Sequence, residues 1–207
     1  HRGSSAASDV YKRQNQYFRY YKLANAEAIT LSGQVSIRWI ENKMNQKINE
    51  ILKTEDVDYV IASDTDSIYL NLGPLVEGVY KGRKETDEVI VGFIDKVCSM
   101  ELEPYIESSY EALAKYVNAY DQKMFMKRET IANKGIWTAK KRYILNAWDI
   151  EGVRFAEPKL KVMGIEAVKS STPGACRDKI KECLKVIMNS DEEDAQKFIC
   201  LLYTSDA

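Results

Sequence analysis

The sequence predicts an α+β fold in which long helices pack on one face of an antiparallel sheet. Two long segments, residues 25–53 and 86–118, carry apolar side chains at near-helical spacing. Residues 58–72 and 123–163 are instead rich in β-branched and aromatic residues, with alternating apolar positions and short turns, as is typical of strand hairpins. The chain has 207 residues, of which 45% are hydrophobic, so it is long enough to bury a core.

The first half of the chain predicts a helix, a hairpin and a second helix. Asn25 is the candidate N-cap of the first helix, whose buried face is expected to include Leu31 and Val35. Residues 58–63 and 67–72 then predict two strands joined by a tight turn. Pro104 is expected to kink the second helix, because proline lacks the backbone donor that a helix interior needs.

The second half predicts antiparallel strands followed by a helix. Residues 123–132 and 137–148 alternate, and Asn133-Lys134-Gly135 is the turn expected between them. Glu151-Gly152 marks the next turn. Thr172-Pro173 predicts a helix start, with Thr172 as N-cap and Pro173 at the first helical position.

Composition excludes several kinds of chemistry. The four cysteines form no CxxC pair, and the single histidine is His1, so a zinc site, a disulfide framework and histidine-based nucleophilic catalysis are all disfavoured. Apolar runs are far shorter than the roughly 20 residues that a membrane-spanning helix needs. Any catalysis must therefore use carboxylates, lysines or metal ions. Acidic residues concentrate in 55–66 and basic residues in 134–143, which suits separate cation and phosphate sites.

The first predicted hairpin has two acids at its tip, Asp64 and Asp66. Residues two apart in an extended chain point to the same side, so these carboxylates are expected together, with Thr65 turned away. Paired carboxylates repel unless a cation lies between them, and Mg²⁺ prefers such hard oxygen ligands. The alternative interpretation is ordinary turn chemistry, since Asp and Ser are favoured in turns.

Several segments together resemble family B DNA polymerases of the T-even bacteriophage branch. The strongest is Ala62 to Tyr69, which is similar to the DTDS hairpin of that family. The other segments, in family order and covering roughly residues 15–199, are Tyr17-Phe18-Arg19-Tyr20-Tyr21, Ala28-Ile29-Thr30, Gly33-Gln34, Lys140-Lys141-Arg142-Tyr143, Ala156 to Lys161, and Ser170-Ser171-Thr172-Pro173.

The resemblance implies a polymerase palm and two Mg²⁺ ions as cofactors. Asp66 would be the main catalytic metal ligand, with Asp64 beside it in an orienting role. Glu129 matches a further active-site carboxylate of the family, although Lys127 stands where the family has an acid. The implied domains are the palm at 15–168 and the start of the thumb at 169–199. Residues 1–14 and 200–207 resemble translated adapter or vector sequence and are expected to be non-native.

The resemblance also implies contacts with DNA. Lys140, Lys141, Arg142 and Tyr143 would hold the primer end, with Lys141 reading the minor groove, and Ser171 and Thr172 would lie at the palm–thumb junction. The expected partners are primer-template DNA, dNTP and, for the full-length protein, a sliding clamp, in the cytoplasm of an infected bacterium. Other family segments needed for activity are not found in these 207 residues, so the chain alone is expected to incorporate no nucleotide.

Two other functions fit an α+β chain of this kind. One is a non-catalytic nucleic-acid-binding module, which would need exposed aromatic residues on its sheet in an RNP-like pattern, and none is found. The other is a different two-metal palm enzyme, such as a reverse transcriptase or a cyclase. The segments at 140–143 and 170–173 disfavour that second alternative.

Overall fold

The structure is a computed structural model that describes residues 15, 17, 19, 21–81, 83 and 85–205, with side chains to residue 200. Residues 1–14, the predicted non-native leader, lie outside this described part. The chain divides into two compact units. Unit 1 comprises His1–Glu85 and Lys96–Lys127, and unit 2 comprises Thr86–Asp95 and Arg128–Ala207. The predicted α+β class with antiparallel sheets is confirmed, and the predicted domain boundaries stay a prediction.

Unit 1 combines helices with a two-stranded antiparallel sheet. Its elements are α1 (Leu23–Leu52), β1 (Val60–Asp64), β2 (Ser67–Leu70), α2 (Gly73–Tyr80), a π-helical segment (Cys98–Leu102) and α4 (Glu103–Tyr116). The helix before the π-helical segment, α3 (Asp87–Val97), lies mainly in unit 2. Within the described residues, every helix is too short or too polar to serve as a membrane span.

The long helix α1 packs on α4 through side chains spaced four residues apart. Ile40, Met44 and Ile48 are buried on this face, and the indole of Trp39 donates to the carbonyl oxygen of Ser109 over 2.9 Å. The predicted buried positions Leu31 and Val35 are wrong, since both are more than half exposed.

One predicted helix start in unit 1 is wrong, and one helix of this unit was not predicted. Asn25 is not an N-cap, because α1 begins at Leu23 after the extended residue Lys22, whose carbonyl accepts from the Asn25 N–H. Gly73-Pro74 begins a helix, α2, that was not predicted from the sequence. Proline has no N–H to lose in a first helical turn, and Pro74 accordingly lies at the start of α2.

The predicted single helix over residues 86–118 is interrupted. A π-helical segment, Cys98–Leu102, separates α3 from α4 and directly precedes Pro104 in the first turn of α4. A wider turn next to a proline is a common form of helix distortion. The predicted disturbance at Pro104 is therefore confirmed, and it takes the form of this wide turn.

Unit 2 contains a three-stranded antiparallel sheet in the order β3-β4-β5. Its strands are β3 (Thr130–Ala139), β4 (Arg142–Ile150) and β5 (Val153–Met163), followed by a short 3-10 helix (Glu166–Val168), α5 (Gly174–Asn189) and α6 (Glu192–Ser205). Ile144, Ile165 and Met188 form the buried cluster that packs α5 on the sheet. The predicted turn at Glu151-Gly152 is confirmed, with both residues at positive φ.

Several predictions in this half are wrong in detail. Residues 123–129 form no strand, and Asn133-Lys134-Gly135 lies within β3, where register shifts replace the expected turn. Helix α5 begins one residue later than predicted, with Pro173 as its N-cap and no side-chain cap from Thr172. The predicted non-native segment at 200–207 stays a prediction, and its residues as far as Ser205 are helical, as the end of α6.

Candidate functional site

The tip of the β1–β2 hairpin carries the two predicted catalytic acids. Asp64 ends β1 and pairs with Ser67 across the turn. The N–H of Asp66 donates to the Asp64 carbonyl oxygen over 2.6 Å, and the Ser67 hydroxyl donates to the same oxygen over 3.1 Å. The turn is therefore tight and internally bonded, and it leaves Asp64 half-buried and Asp66 exposed.

Thr65 has a backbone conformation at the tip that differs from the one predicted. Its φ of 53° is left-handed, so the alternation of an extended strand does not apply at the tip. Thr65 also does not turn away, because its hydroxyl Oγ1 donates to Oδ1 of Asp64 over 3.1 Å. This hydrogen bond within the turn orients the Asp64 carboxylate.

The charge at the hairpin tip acts on a buried residue of α4. Burial raises the pKa of the Tyr110 phenol, and the nearby carboxylate of Asp66 raises it further. Tyr110 is 5% exposed, so water screens the electrostatic effect of the Asp66 carboxylate on its phenol only weakly. The tip therefore carries a negative charge that a bound cation would neutralise.

The donor set at the tip fits a metal ion shared with a substrate. Among the described residues, no group of three or more His, Cys, Asp or Glu side chains converges as in a complete protein metal cage. Mg²⁺ is commonly held by one or two carboxylates together with waters and substrate phosphates. Asp64 and Asp66 supply those two carboxylates, so they suit a Mg²⁺ site that is completed by substrate.

Glu129, the third predicted metal ligand, lies in unit 2 just before β3. Its carboxylate accepts from the ammonium of Lys161 on β5, which also donates to the Thr130 hydroxyl over 3.1 Å. A metal ion would have to compete with Lys161 for this carboxylate. The role of Glu129 stays a prediction.

The four predicted DNA-binding residues Lys140 to Tyr143 do not form a continuous strand. Lys140 and Lys141 make the turn between β3 and β4, with Lys141 at a φ of 61°. Arg142 and Tyr143 begin β4. Both lysines are exposed, whereas Tyr143 is 7% exposed, with its ring centroid 6.4 Å from that of Trp137. The sequence alternation missed the turn because two lysines carry none of the usual turn signals.

Gly164 holds the end of β5 directly against this basic turn. It has a φ of 67°, a conformation that glycine adopts without strain, and a Cβ placed there would overlap the carbonyl oxygen of Lys141. Met163, the preceding residue, pairs with Tyr143. The close approach of two backbones at the basic turn therefore requires glycine at position 164.

Gly164→Ala is expected to destabilise the chain by about 2–4 kcal/mol, since overpacking against a backbone and a positive φ both add to the cost. Urea denaturation of the 207-residue chain measures the change. Gly152→Ala is the matched control, because that glycine also has a positive φ, 83°, but no atom lies within 4 Å of an added Cβ. Equal losses in the two variants would contradict the close contact at Gly164.

Glu166 pairs with basic residues on both sides of it. Its two carboxylate oxygens accept from Nη2 of Arg142 over 2.8 and 2.7 Å, and Oε1 also accepts from Lys169 Nζ over 2.9 Å. The hydrogen bond from Lys169, then a backbone hydrogen bond and the Arg142 charge, lower the pKa of Glu166 from 4.5 to about 2.

The depressed pKa predicts a defined pH dependence. Because the folded pKa lies below the unfolded one, these ion pairs stabilise the fold above about pH 4.5, and their contribution is lost as pH falls towards 2. At about pH 3.5, the carboxyl carbon of Glu166 should still show the NMR shift of the ionised form. In Lys169→Gln it should titrate closer to 4.5. A midpoint near 4.5 in the unmodified chain would contradict these pairings.

The last two predicted DNA contacts, Ser171 and Thr172, precede α5. The N–H of Thr172 donates to the Lys169 carbonyl oxygen over 3.2 Å, which closes a turn. Ser171 is exposed. Unit 2 thus contains three features that follow β3 in the sequence: the basic turn, the Glu166 ion pairs and the Ser171-Thr172 segment.

A buried ion-pair network in unit 2 was not predicted. Asp149 on β4 is 2% exposed in its side chain and accepts from the Arg128 guanidinium. Arg128 also pairs with Asp95 of α3 over 2.7 Å, and Arg154 on β5 reaches Asp95 over 3.1 Å. The partners are 21 to 59 residues apart in sequence, so no local pattern could have revealed them.

The chain has relatives among known proteins. No protein-family model matches the chain. Over nearly nine tenths of its length, however, the chain is similar to DNA-directed DNA polymerases of bacteriophages. It is 44% identical over 186 residues to the polymerase of Escherichia phage RB69 and 41% identical over 192 residues to that of Enterobacteria phage T4.

These relatives confirm the resemblance to T-even phage polymerases, and the chain is related to a segment of them. The alignments cover 86% and 89% of the chain but 21% of each relative. The chain therefore spans about a fifth of the length of the curated relatives that it matches.

Proposed function

We propose that the chain supplies the catalytic acids and the primer-DNA contacts of a family B DNA-directed DNA polymerase. The observation that carries the proposal is a tight hairpin presenting Asp64 and Asp66, in a chain 44% identical to a phage polymerase. The reaction joins a dNTP to a primer 3′-hydroxyl, forming a phosphodiester bond and releasing pyrophosphate. The proposed architecture is a polymerase palm leading into the start of a thumb.

Asp66 is proposed as the principal ligand of the catalytic metals, and Asp64 as its orienting neighbour. Asp66 is exposed and can reach a substrate, whereas Asp64 is half-buried and held by hydrogen bonds from Thr65. Two Mg²⁺ ions, when bound, would activate the attacking hydroxyl and stabilise the leaving oxygen. Glu129 would assist only after release from Lys161.

The basic turn is proposed to hold the primer end of the DNA. Lys140 and Lys141 are exposed cations at the tip of a hairpin, so they can reach phosphates or minor-groove acceptors. Tyr143 is buried beside Trp137 and would act by packing rather than by touching the DNA. Ser171 and Thr172 would contact the same DNA further along its backbone. For the full-length protein we also propose a sliding clamp as partner and action in the cytoplasm of an infected bacterium.

A segment exchange tests the proposal. The matched segment of the RB69 relative is replaced by the aligned residues of this chain, and primer extension is measured with dNTP and Mg²⁺. The proposed function predicts template-directed extension by the chimera. A chimera that folds and binds primer-template DNA, yet extends no primer, would contradict it.

A further inference from the structure

The segment that follows β5 in unit 2 contacts the backbone of the basic turn. Gly164 lies so close to Lys141 that no side chain fits between them. Two residues later, Glu166 opens the 3-10 helix Glu166–Val168, whose Ala167 is fully buried. The backbone that carries Glu166 is therefore fixed on both sides of the carboxylate.

Glu166 also determines where the Arg142 guanidinium lies. Both carboxylate oxygens accept from Nη2 of Arg142, over 2.8 and 2.7 Å. Within the described part of the chain, the buried Nε of Arg142 has no hydrogen-bond partner. The same carboxylate accepts from Lys169, three residues before Thr172. One acid thus connects Arg142, the first residue of β4 after the basic turn, to the segment that leads into α5.

An acid among these cations is unexpected if it has no positioning role. DNA affinity depends strongly on phosphate neutralisation, so a negative charge beside Arg142 and Lys169 weakens binding by repulsion. Its removal should then tighten binding. Removal of the carboxylate should instead weaken DNA binding if the carboxylate is needed to orient the cations, because unrestrained side chains lose conformational entropy on binding.

We propose that Glu166 is a positioning residue for primer-template DNA. It acts through Arg142 and Lys169, which it holds so that the basic turn and the Ser171-Thr172 segment face one DNA backbone. This inference rests on the proposed function, and it adds a residue to which that function assigns no role. The low pKa of Glu166 keeps the carboxylate ionised at any pH used for DNA binding.

The test measures the affinity of the 207-residue chain for a fluorescent primer-template duplex by anisotropy. Glu166→Gln is expected to bind at least about fivefold more weakly, despite its lost negative charge. Glu166→Asp retains the charge but is too short to bridge both cations, and it should also bind more weakly. Glu157→Gln, an exposed glutamate on β5, is the matched control and should bind equally or more tightly.

A double-mutant cycle shows whether Glu166 acts through Arg142. In an Arg142→Gln background, Glu166→Gln should change affinity by less than about twofold, because the two residues form one unit. Equal or tighter binding by Glu166→Gln, or an undiminished effect in the Arg142→Gln background, would overturn the inference and leave the proposed function standing. An unmodified chain that binds no primer-template DNA would overturn both.

Discussion

Asp66→Ala is expected to lower the rate of primer extension by the segment-exchange chimera by about 10³-fold or more. Metal ions supply several kcal/mol of transition-state stabilisation in such transfers, and each 1.36 kcal/mol is tenfold in rate. Asp66 is the exposed carboxylate at the hairpin tip, so its loss removes the ligand best placed to share an ion with substrate. Single-turnover primer extension measures the change.

The matched control for Asp66→Ala is Glu55→Ala, an exposed acid in the loop before β1. Its extension rate should change less than about twofold, because an exposed acid outside the hairpin contributes only a screened charge. Affinity for primer-template DNA should be retained in Asp66→Ala, since the proposed DNA contacts belong to other residues. An Asp66→Ala chimera that extends primers at the unmodified rate would show that the acids have been given the wrong role.

Asp149→Ala is expected to lower the free energy of unfolding by about 3–5 kcal/mol. Arg128 is 14% exposed in its side chain, and Asp149 is the more buried of the two carboxylates that pair with it, so its removal withdraws much of the compensation of a poorly solvated charge. The Gly152 N–H also loses its acceptor, since it donates to Asp149 over 2.9 Å. Burial tends to lower the pKa of Arg128, but hydrogen bonds from Arg128 to Asp149 and Asp95 raise it above its ordinary value, so the guanidinium remains charged.

Urea denaturation of the chain measures this loss, with an unchanged m-value showing that the extent of unfolding is the same. Glu182→Ala is the control, because Glu182 forms an exposed ion pair with Lys179 on α5. It should change stability by no more than about 1 kcal/mol. If Asp149→Ala lowers the free energy of unfolding by no more than Glu182→Ala does, the Asp149 ion pairs stabilise the fold no more than exposed surface pairs do.

The hairpin with its acidic tip could be predicted because its signals are local. Two short segments of β-branched and aromatic residues flank Asp64-Thr65-Asp66, and both the strand period and the turn residues lie within about twelve positions. The α+β class followed from the same kind of pattern. The side-chain direction of Thr65 could not be predicted in this way, because its left-handed backbone breaks the strand alternation on which that prediction rested.

The parts that were missed depend on contacts between distant residues. Whether Lys140 and Lys141 form a strand or a turn is decided by the pairing of β4 with β5 and by the close approach of Gly164. The ion pair of Asp149 with Arg128 likewise joins residues that are 21 positions apart in sequence. The predicted N-caps Asn25 and Thr172 were wrong by three positions and by one, since several residues near each helix start could serve.

Paramagnetic broadening by Mn²⁺ in the NMR spectrum of the chain tests most directly whether the acidic tip gathers divalent metal. Mn²⁺ serves as the probe for Mg²⁺, and its effect falls off within a short distance of the ion. The signals of Asp64, Thr65, Asp66 and Ser67 should disappear first, and they should persist in an Asp64→Asn, Asp66→Asn double variant. Broadening that begins elsewhere, or that is the same in the double variant, would contradict a metal site at this hairpin.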